Sequence, residues 1–120
     1  MPETSEAPAT LALVNARVWT NDPRRPWAEA VLVRDGRVLA LGSTAELRKR
    51  AGAEARVVDA GRRMVVSSKP GGRINQGDPA DLVLVDDLVS RSPRPELDEQ
   101  SIMLELSSGR IVRERGSSAT

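Results

Sequence analysis

The sequence predicts a mainly β domain, a small β-sandwich or open barrel of about eight short strands with one short helix. Three observations predict it. Short apolar runs recur along the chain and are separated by turn residues. Two of the separations, Asp35-Gly36 and Ser107-Ser108-Gly109, lie between runs of the kind that pair as hairpins. The apolar set is aliphatic: there is no Phe and no Tyr, and the only aromatic residues are Trp19 and Trp27. Val, Leu and Ile suit a pleated surface. They also bury less area than aromatic rings, so the core should give modest stability.

The elements follow in order. Leu11-Ala12-Leu13-Val14 and Arg17-Val18-Trp19 read as one or two strands. Residues Asn21 to Pro26 form a loop, because the two prolines lack a backbone donor and Asn and Asp close local turns. The runs Ala30 to Arg34 and Arg37 to Leu41 flank Asp35-Gly36, where a type I′ turn needs positive φ at both central residues. Ser43-Thr44-Ala45-Glu46 is a capping box, in which Ser43 accepts from the Glu46 amide and the Glu46 side chain reaches back. Leu47 and Ala51 share a face, and Gly52 takes the αL position that ends a helix over about 44–51.

Arg56 to Asp59 and Arg63 to Val66 are two more strands around Ala60-Gly61. The composition then breaks at Ser67-Ser68-Lys69-Pro70-Gly71-Gly72, which reads as a linker. Gly77-Asp78-Pro79 is a turn, Asp81 to Asp86 an apolar strand bounded by acids, and Ser90 to Pro95 a loop. Ile102 to Leu106 and Arg110 to Arg113 make the second hairpin. The organisation expected is a disordered leader over 1–10, one domain over 11–115 and a disordered tail over 116–120. Within the domain, an N-terminal half (11–66) and a C-terminal half (73–115) are joined by the linker 67–72.

Composition excludes several classes of function. With 18 basic and 17 acidic residues the net charge is +1, too little for a field that gathers nucleic acid or an acidic membrane. Lys49 and Lys69 are the only lysines, a bias toward Arg that a GC-rich genome explains. No apolar run approaches the roughly 20 residues of a membrane helix, and Met1 to Thr10 lacks a basic-then-apolar signal pattern. The cytoplasm is the expected setting. The absence of Cys excludes disulfides and thiolate metal sites, and the absence of His excludes a Ser–His catalytic pair.

Four constellations carry some chemistry. Asp81, Asp86 and Asp87 surround one strand, and carboxylates favour hard cations; solvation of the strand ends is the plainer reading. Gly71-Gly72 before Arg73 hints at a phosphate loop but lacks the Gly-x-x-x-x-Gly-Lys spacing, so linker is the better reading. Arg24-Arg25 and Arg48-Lys49-Arg50 are basic clusters suited to an anion or to solvated faces. Trp19 and Trp27 flank the proline loop, as a ligand platform or as cover for one edge of the core.

The stretches Leu13-Val14-Asn15-Ala16-Arg17-Val18-Trp19-Thr20 and Pro26 to Gly42 resemble the opening of metal-dependent amidohydrolases, the branch with N-substituted formamide deformylases above all. Arg56 to Val66 continues the likeness. In that family the segment runs on into a Pro-Gly-Phe/Leu-Ile-Asp-x-His-x-His motif on the first barrel strand. Here Ser67, Ser68 and Lys69 follow instead. Gly77-Asp78-Pro79-Ala80-Asp81-Leu82-Val83-Leu84-Val85-Asp86 then resembles the segment those enzymes carry after the barrel, and Ile102 to Val112 their terminal pattern. The resemblance covers roughly 11–66 and 73–115.

The resemblance implies the family's composite β-sandwich, in which both flanks of the barrel pair into one domain. It implies a parent that hydrolyses C–N bonds other than peptide bonds. The family's metals are held mainly by imidazoles, and every position that bears its catalytic residues falls in the missing stretch. No catalytic, cofactor-binding or metal-binding residue carries over, and no cofactor is expected. The expected role is a non-catalytic structural domain, left by natural loss of the barrel or by a designed splice; the clean cut at the barrel boundary favours design. The alternative is a self-association or partner-binding module that uses the apolar face formerly packed on the barrel, as a homo-oligomer. An enzyme with an unrecognised site is the third reading.

Overall fold

The computed structural model describes residues 10–52, 55–69, 72–86 and 102–114. The leader up to residue 9, Gly71, Asp87, the loop Ser90 to Pro95 and the tail from residue 116 lie outside the described residues. The strands are β1 (Leu11–Val14), β2 (Arg17–Trp19), β3 (Trp27–Ala28), β4 (Ala30–Arg34) and β5 (Arg37–Gly42). After the helix α1 (Thr44–Ala51) come β6 (Arg56–Asp59), β7 (Met64–Ser67), β8 (Leu82–Val85), β9 (Ile102–Ser107) and β10 (Arg110–Glu114). They form two mixed sheets, ordered β5-β4-β1-β6 and β10-β9-β8-β7-β2-β3, that do not close into a barrel. The mainly β class with one short helix is as the sequence predicts. The short strand β3, which pairs with β2, is an addition to it.

Burial explains the continuous apolar runs. All four residues of β1 are buried. Leu11 and Leu13 enter the core between the sheets with Val31, Val33, Val65, Leu82, Leu84, Leu104 and Leu106. Ala12 and Val14 face the other way, onto Leu47 and Ala51 of α1 with Ala30, Leu32 and Ala40. A strand covered on both faces needs no polar alternation. The small side chains of Ala12, Ala30 and Ala40 leave room for the helix. On the outer face of the larger sheet, Met64, Val66, Val83, Val85 and Ile102 form a third buried cluster against which Trp19 packs.

The two sheets are joined by a pair of strands that bend together. β6 runs parallel to β1 in one sheet, and β7 runs parallel to β2 in the other. The ladder continues through the corner: the Ala60 amide donates to Val14 O at 2.9 Å, Arg62 to Asn15 O at 2.7 Å, and Arg17 to Arg63 O at 2.9 Å. Asn15 and Arg62 take positive φ there, 55° and 69°. Strands that switch sheets make the corners of such sandwiches.

The segment after the linker is tied to the segment before it. β7 pairs antiparallel with β8 in the register Met64↔Val85 to Ser67↔Leu82. Strand β7 thus ends at Ser67, one residue into the stretch read as linker, because the Ser67–Leu82 pair completes the ladder. Ile74 is buried in the inter-sheet core, and its amide donates to Thr20 O at 3.0 Å. At the far edges, both Nη atoms of Arg56 on β6 pair with the Glu114 carboxylate on β10, bridging the sheets.

The first hairpin adopts the expected two-residue turn, with φ of 52° and 78° at Asp35 and Gly36; the second turns on two residues as well, Ser108 and Gly109 with φ of 50° and 80°, because Ser107, read as part of the turn, ends β9. The tips touch. Gly36 O accepts from Ala80 N at 2.9 Å, and Ala80 O accepts from Gly109 N at 3.0 Å. A Cβ on Gly109 would lie 2.6 Å from Gly36 Cα. The helix ends differ in detail from the sequence reading. Ser43 Oγ accepts from the Glu46 amide at 3.2 Å, as the capping box predicts, and Glu29 Oε1 adds a further acceptor for the Thr44 amide at 3.2 Å. Gly52 has φ 78° and ψ 177°, so the chain leaves the helix extended and not in αL.

The contact between the tips yields a prediction. Gly109→Ala should cost at least about 1 kcal/mol, from strain at positive φ and from forcing the hairpins apart. Urea unfolding of the two proteins, compared at constant m-value, measures it.

Candidate functional site

Two concavities stand out among the described residues. The larger, about 600 Å³, is lined by Asn15, Ala16, Arg17, Trp27, Ala28, Glu29, Thr44 and Arg62. Its polar groups are held by neighbours: Arg17 Nε donates to Arg62 O at 2.9 Å, the Asn15 amide to Thr44 Oγ1 at 2.8 Å, and Glu29 receives the helix amide. Trp19 and Trp27 meet edge-to-face with centroids 5.1 Å apart, as directly opposed residues of β2 and β3. Trp19 packs on the outer cluster while Trp27 is exposed. Trp19 thus covers an edge of the core, whereas Trp27 lines the larger concavity.

The second cleft, about 460 Å³, lies where the proline loop meets β5 and the end of α1. Its lining includes Thr20, Asp22, Arg24, Arg25, Arg50 and Asn75. Thr20 and Asp22 are the buried polar residues among those described. Thr20 Oγ1 donates to Arg25 O and accepts the Asp22 amide at 3.1 Å. Asp22 Oδ1 accepts the Arg24 amide at 3.0 Å and Arg24 Nε at 3.4 Å. The Asn75 amide, turned so that its nitrogen faces acceptors, donates to Asp22 Oδ2 at 3.1 Å. The Arg24 amide above all holds the Asp22 carboxyl below its ordinary range, with the Arg24 and Arg73 guanidiniums adding to it. Arg25 Nη1 donates to Leu41 O at 2.9 Å. Arg24-Arg25 and Arg50, read as separate clusters in the sequence, are brought to one cleft; Arg48 acts instead on Asp59.

The acidic residues are not gathered. Asp81 and Asp86 sit just beyond opposite ends of β8. Asp81 Oδ1 accepts the Ser108 amide at 2.8 Å and Oδ2 pairs with Lys69 Nζ at 3.2 Å, while Asp86 Oδ1 pairs with Arg63 Nε at 2.8 Å. No group of three or more acids suited to a metal occurs among the described residues. In the Gly-Gly segment, Gly72 N donates to Lys69 O at 2.8 Å, a turn within the linker. No described helix is long and apolar enough to cross a membrane.

Three carboxylates are depressed among the described residues. The Ser108 amide lowers Asp81, the Gly61 amide lowers Asp59, and Asp22 is lowered as above, all from an ordinary value of 3.8. A group whose folded pKa lies below its unfolded one stabilises the fold above the unfolded value. That contribution disappears as pH falls through the folded value. Below about pH 4 the wild-type protein should therefore lose thermal stability more steeply than Asp81→Asn, which has no charge to lose there. Melting temperatures at pH steps from neutral to strongly acidic check the difference in slope.

Comparisons with known proteins bear on this fold. Residues 30–52, which span β4, β5 and α1, match the family model of the imidazolonepropionase-like composite domain of bacteria. A search of curated proteins found no match. Among solved structures, one from Bacillus thuringiensis aligns at 28% identity and TM-score 0.45, over 48% of this chain and 76% of its own. Enamidase, described as a member of the amidohydrolase superfamily, aligns at 31% identity and TM-score 0.39, over 46% of this chain and 14% of its own. L-Hydantoinase (dihydropyrimidinase) from Arthrobacter aurescens aligns at 28% identity and TM-score 0.37, over 49% and 12%. This chain thus spans only 14% and 12% of the two enzymes. The family match is thus to a composite domain, over the part of this mainly β fold that holds β4, β5 and α1.

Proposed function

We propose that this chain is a non-catalytic structural domain of amidohydrolase origin, its two halves closed on each other without an intervening barrel. The supporting observation is the β7–β8 ladder, where residues before the linker pair with residues after it over four register positions. Leu82, Leu84, Leu104 and Leu106 complete a core begun by Leu11, Leu13 and Val65. Amidohydrolase chemistry relies on imidazole-held metal to generate hydroxide, and these 120 residues contain no His. The parent activity in this reading is hydrolysis of C–N bonds other than peptide bonds, in the cytoplasm. A parent gene whose frame continues after Val66 into a His-x-His motif would mark a designed splice; a gene without it, natural loss.

The fluorophores give a direct test, since Trp19 and Trp27 both belong to the first half. Leu84→Ala, a buried change in the second half, should cost about 2–5 kcal/mol. It should shift the unfolding midpoint seen by tryptophan fluorescence and by far-ultraviolet circular dichroism alike. A tryptophan transition that stays put would defeat the single-domain reading. The metal-supplemented chain should hydrolyse neither cyclic amides nor substituted formamides, and turnover would overturn the non-catalytic part.

Self-association is favoured by one observation. Exposed large apolar residues lie at Trp27, Val57, Ile111 and Val112. Two of these four are on β10, one of the two edge strands of the six-stranded sheet. Such an edge offers unpaired backbone groups to a second strand. On this reading light scattering shows a mass that rises with concentration and returns to monomer in Val112→Lys; a concentration-independent monomer removes it.

A further inference from the structure

We propose that the cleft between the proline loop and the end of α1 binds a small oxyanion of the phosphate-ester class. The inference rests on convergence. Arg24 and Arg25 precede β3, whereas Arg50 sits in the last turn of α1, yet all three line one cleft with Thr20, Asp22 and Asn75. Its volume of about 460 Å³ suits a small ligand. Arginine as such is no signal in a chain with only two lysines; the meeting of distant guanidiniums is.

The charges in the cleft do not cancel. Asp22 is the carboxylate in the lining, and its oxygens are already engaged, Oδ1 by Arg24 and Oδ2 by Asn75. Arg25 donates from Nη1 to a carbonyl, Leu41 O, and forms no ion pair among the described residues, though Glu29 and Glu46 share an adjoining concavity with it. Arg50 has no ion pair among the described residues. With Arg24 set against Asp22, the cleft keeps two positive charges, the complement of a phosphate-ester dianion. A guanidinium is charged at every working pH and presents its donors in a planar fork that fits phosphate oxygens. Gln76 adds a neutral polar group to the wall. The larger concavity makes no such offer. Its lining carries Glu29 beside Arg17 and Arg62, and Arg17 is spent on a carbonyl.

The test uses the full chain at low ionic strength. Amide chemical shifts are followed by NMR as inorganic phosphate, and separately pyrophosphate, is added. The result expected is a saturable response centred on Thr20, Arg25, Arg50 and Gln76. Arg25→Gln and Arg50→Gln should each raise Kd about tenfold. Arg48→Gln, on the same helix turn but outside the cleft, removes the same charge and should leave Kd within about twofold. All three positions are exposed, so circular dichroism should show each variant folded. A response that does not saturate, a map centred elsewhere, or an Arg48→Gln loss as large as that of Arg50→Gln would each overturn the site.

Discussion

The constraint on which this fold depends is the parallel ladder that turns the corner from one sheet to the other. A sandwich needs chain that passes between its layers, and each passage risks stranding backbone donors and acceptors in the interior. Here two strands make the passage side by side. Three hydrogen bonds, from Ala60, Arg62 and Arg17, bridge the bend between β1–β6 and β2–β7. The cost is positive φ at Asn15 and Arg62. Asp59 compensates, since its Oδ1 accepts both the Gly61 amide at 2.8 Å and Asn15 Nδ2 at 3.2 Å. Once the corner is fixed, β4 and β5 extend one sheet and β8, β9 and β10 extend the other.

Much of this architecture was legible because it is local. Asp35-Gly36 announces its turn through residues that tolerate positive φ, and the Ser43 cap and the Leu47–Ala51 face mark the helix. Pairing between distant strands left no such trace. Nothing in Arg56 to Asp59 says that it runs parallel to β1, or that Arg63 and its successors belong to the other sheet, since either partner satisfies the same apolar pattern. Strand β3 escaped notice because two residues after a proline carry no periodicity. Ile74 escaped because a lone apolar residue in a polar stretch gives no pattern, though the core takes it in completely.

The candidate chemistry was legible only as an inventory. Asp81 and Asp86 looked like potential ligands, yet each serves a local structural need: one receives a hairpin amide, the other pairs with Arg63. Short carboxylates near strand ends are well placed for such roles. The basic clusters went the other way. Arg24-Arg25 and Arg48-Lys49-Arg50 read as two separate clusters, each suited to an anion or to a solvated face, and the fold divides them anew, sending Arg50 toward the loop and Arg48 toward Asp59. Which charges become neighbours is set by tertiary path, which single-sequence spacing does not encode.

The meeting of the two hairpin tips at Ala80 has a kinetic consequence. With its amide on Gly36 and its carbonyl on Gly109, Ala80 has no backbone group left for water. Its proton can trade with solvent only while the tips stand apart, so the exchange rate at that one nitrogen reports how often the layers breathe at this end. A single resonance thereby becomes a gauge of sandwich opening, read without perturbing any side chain.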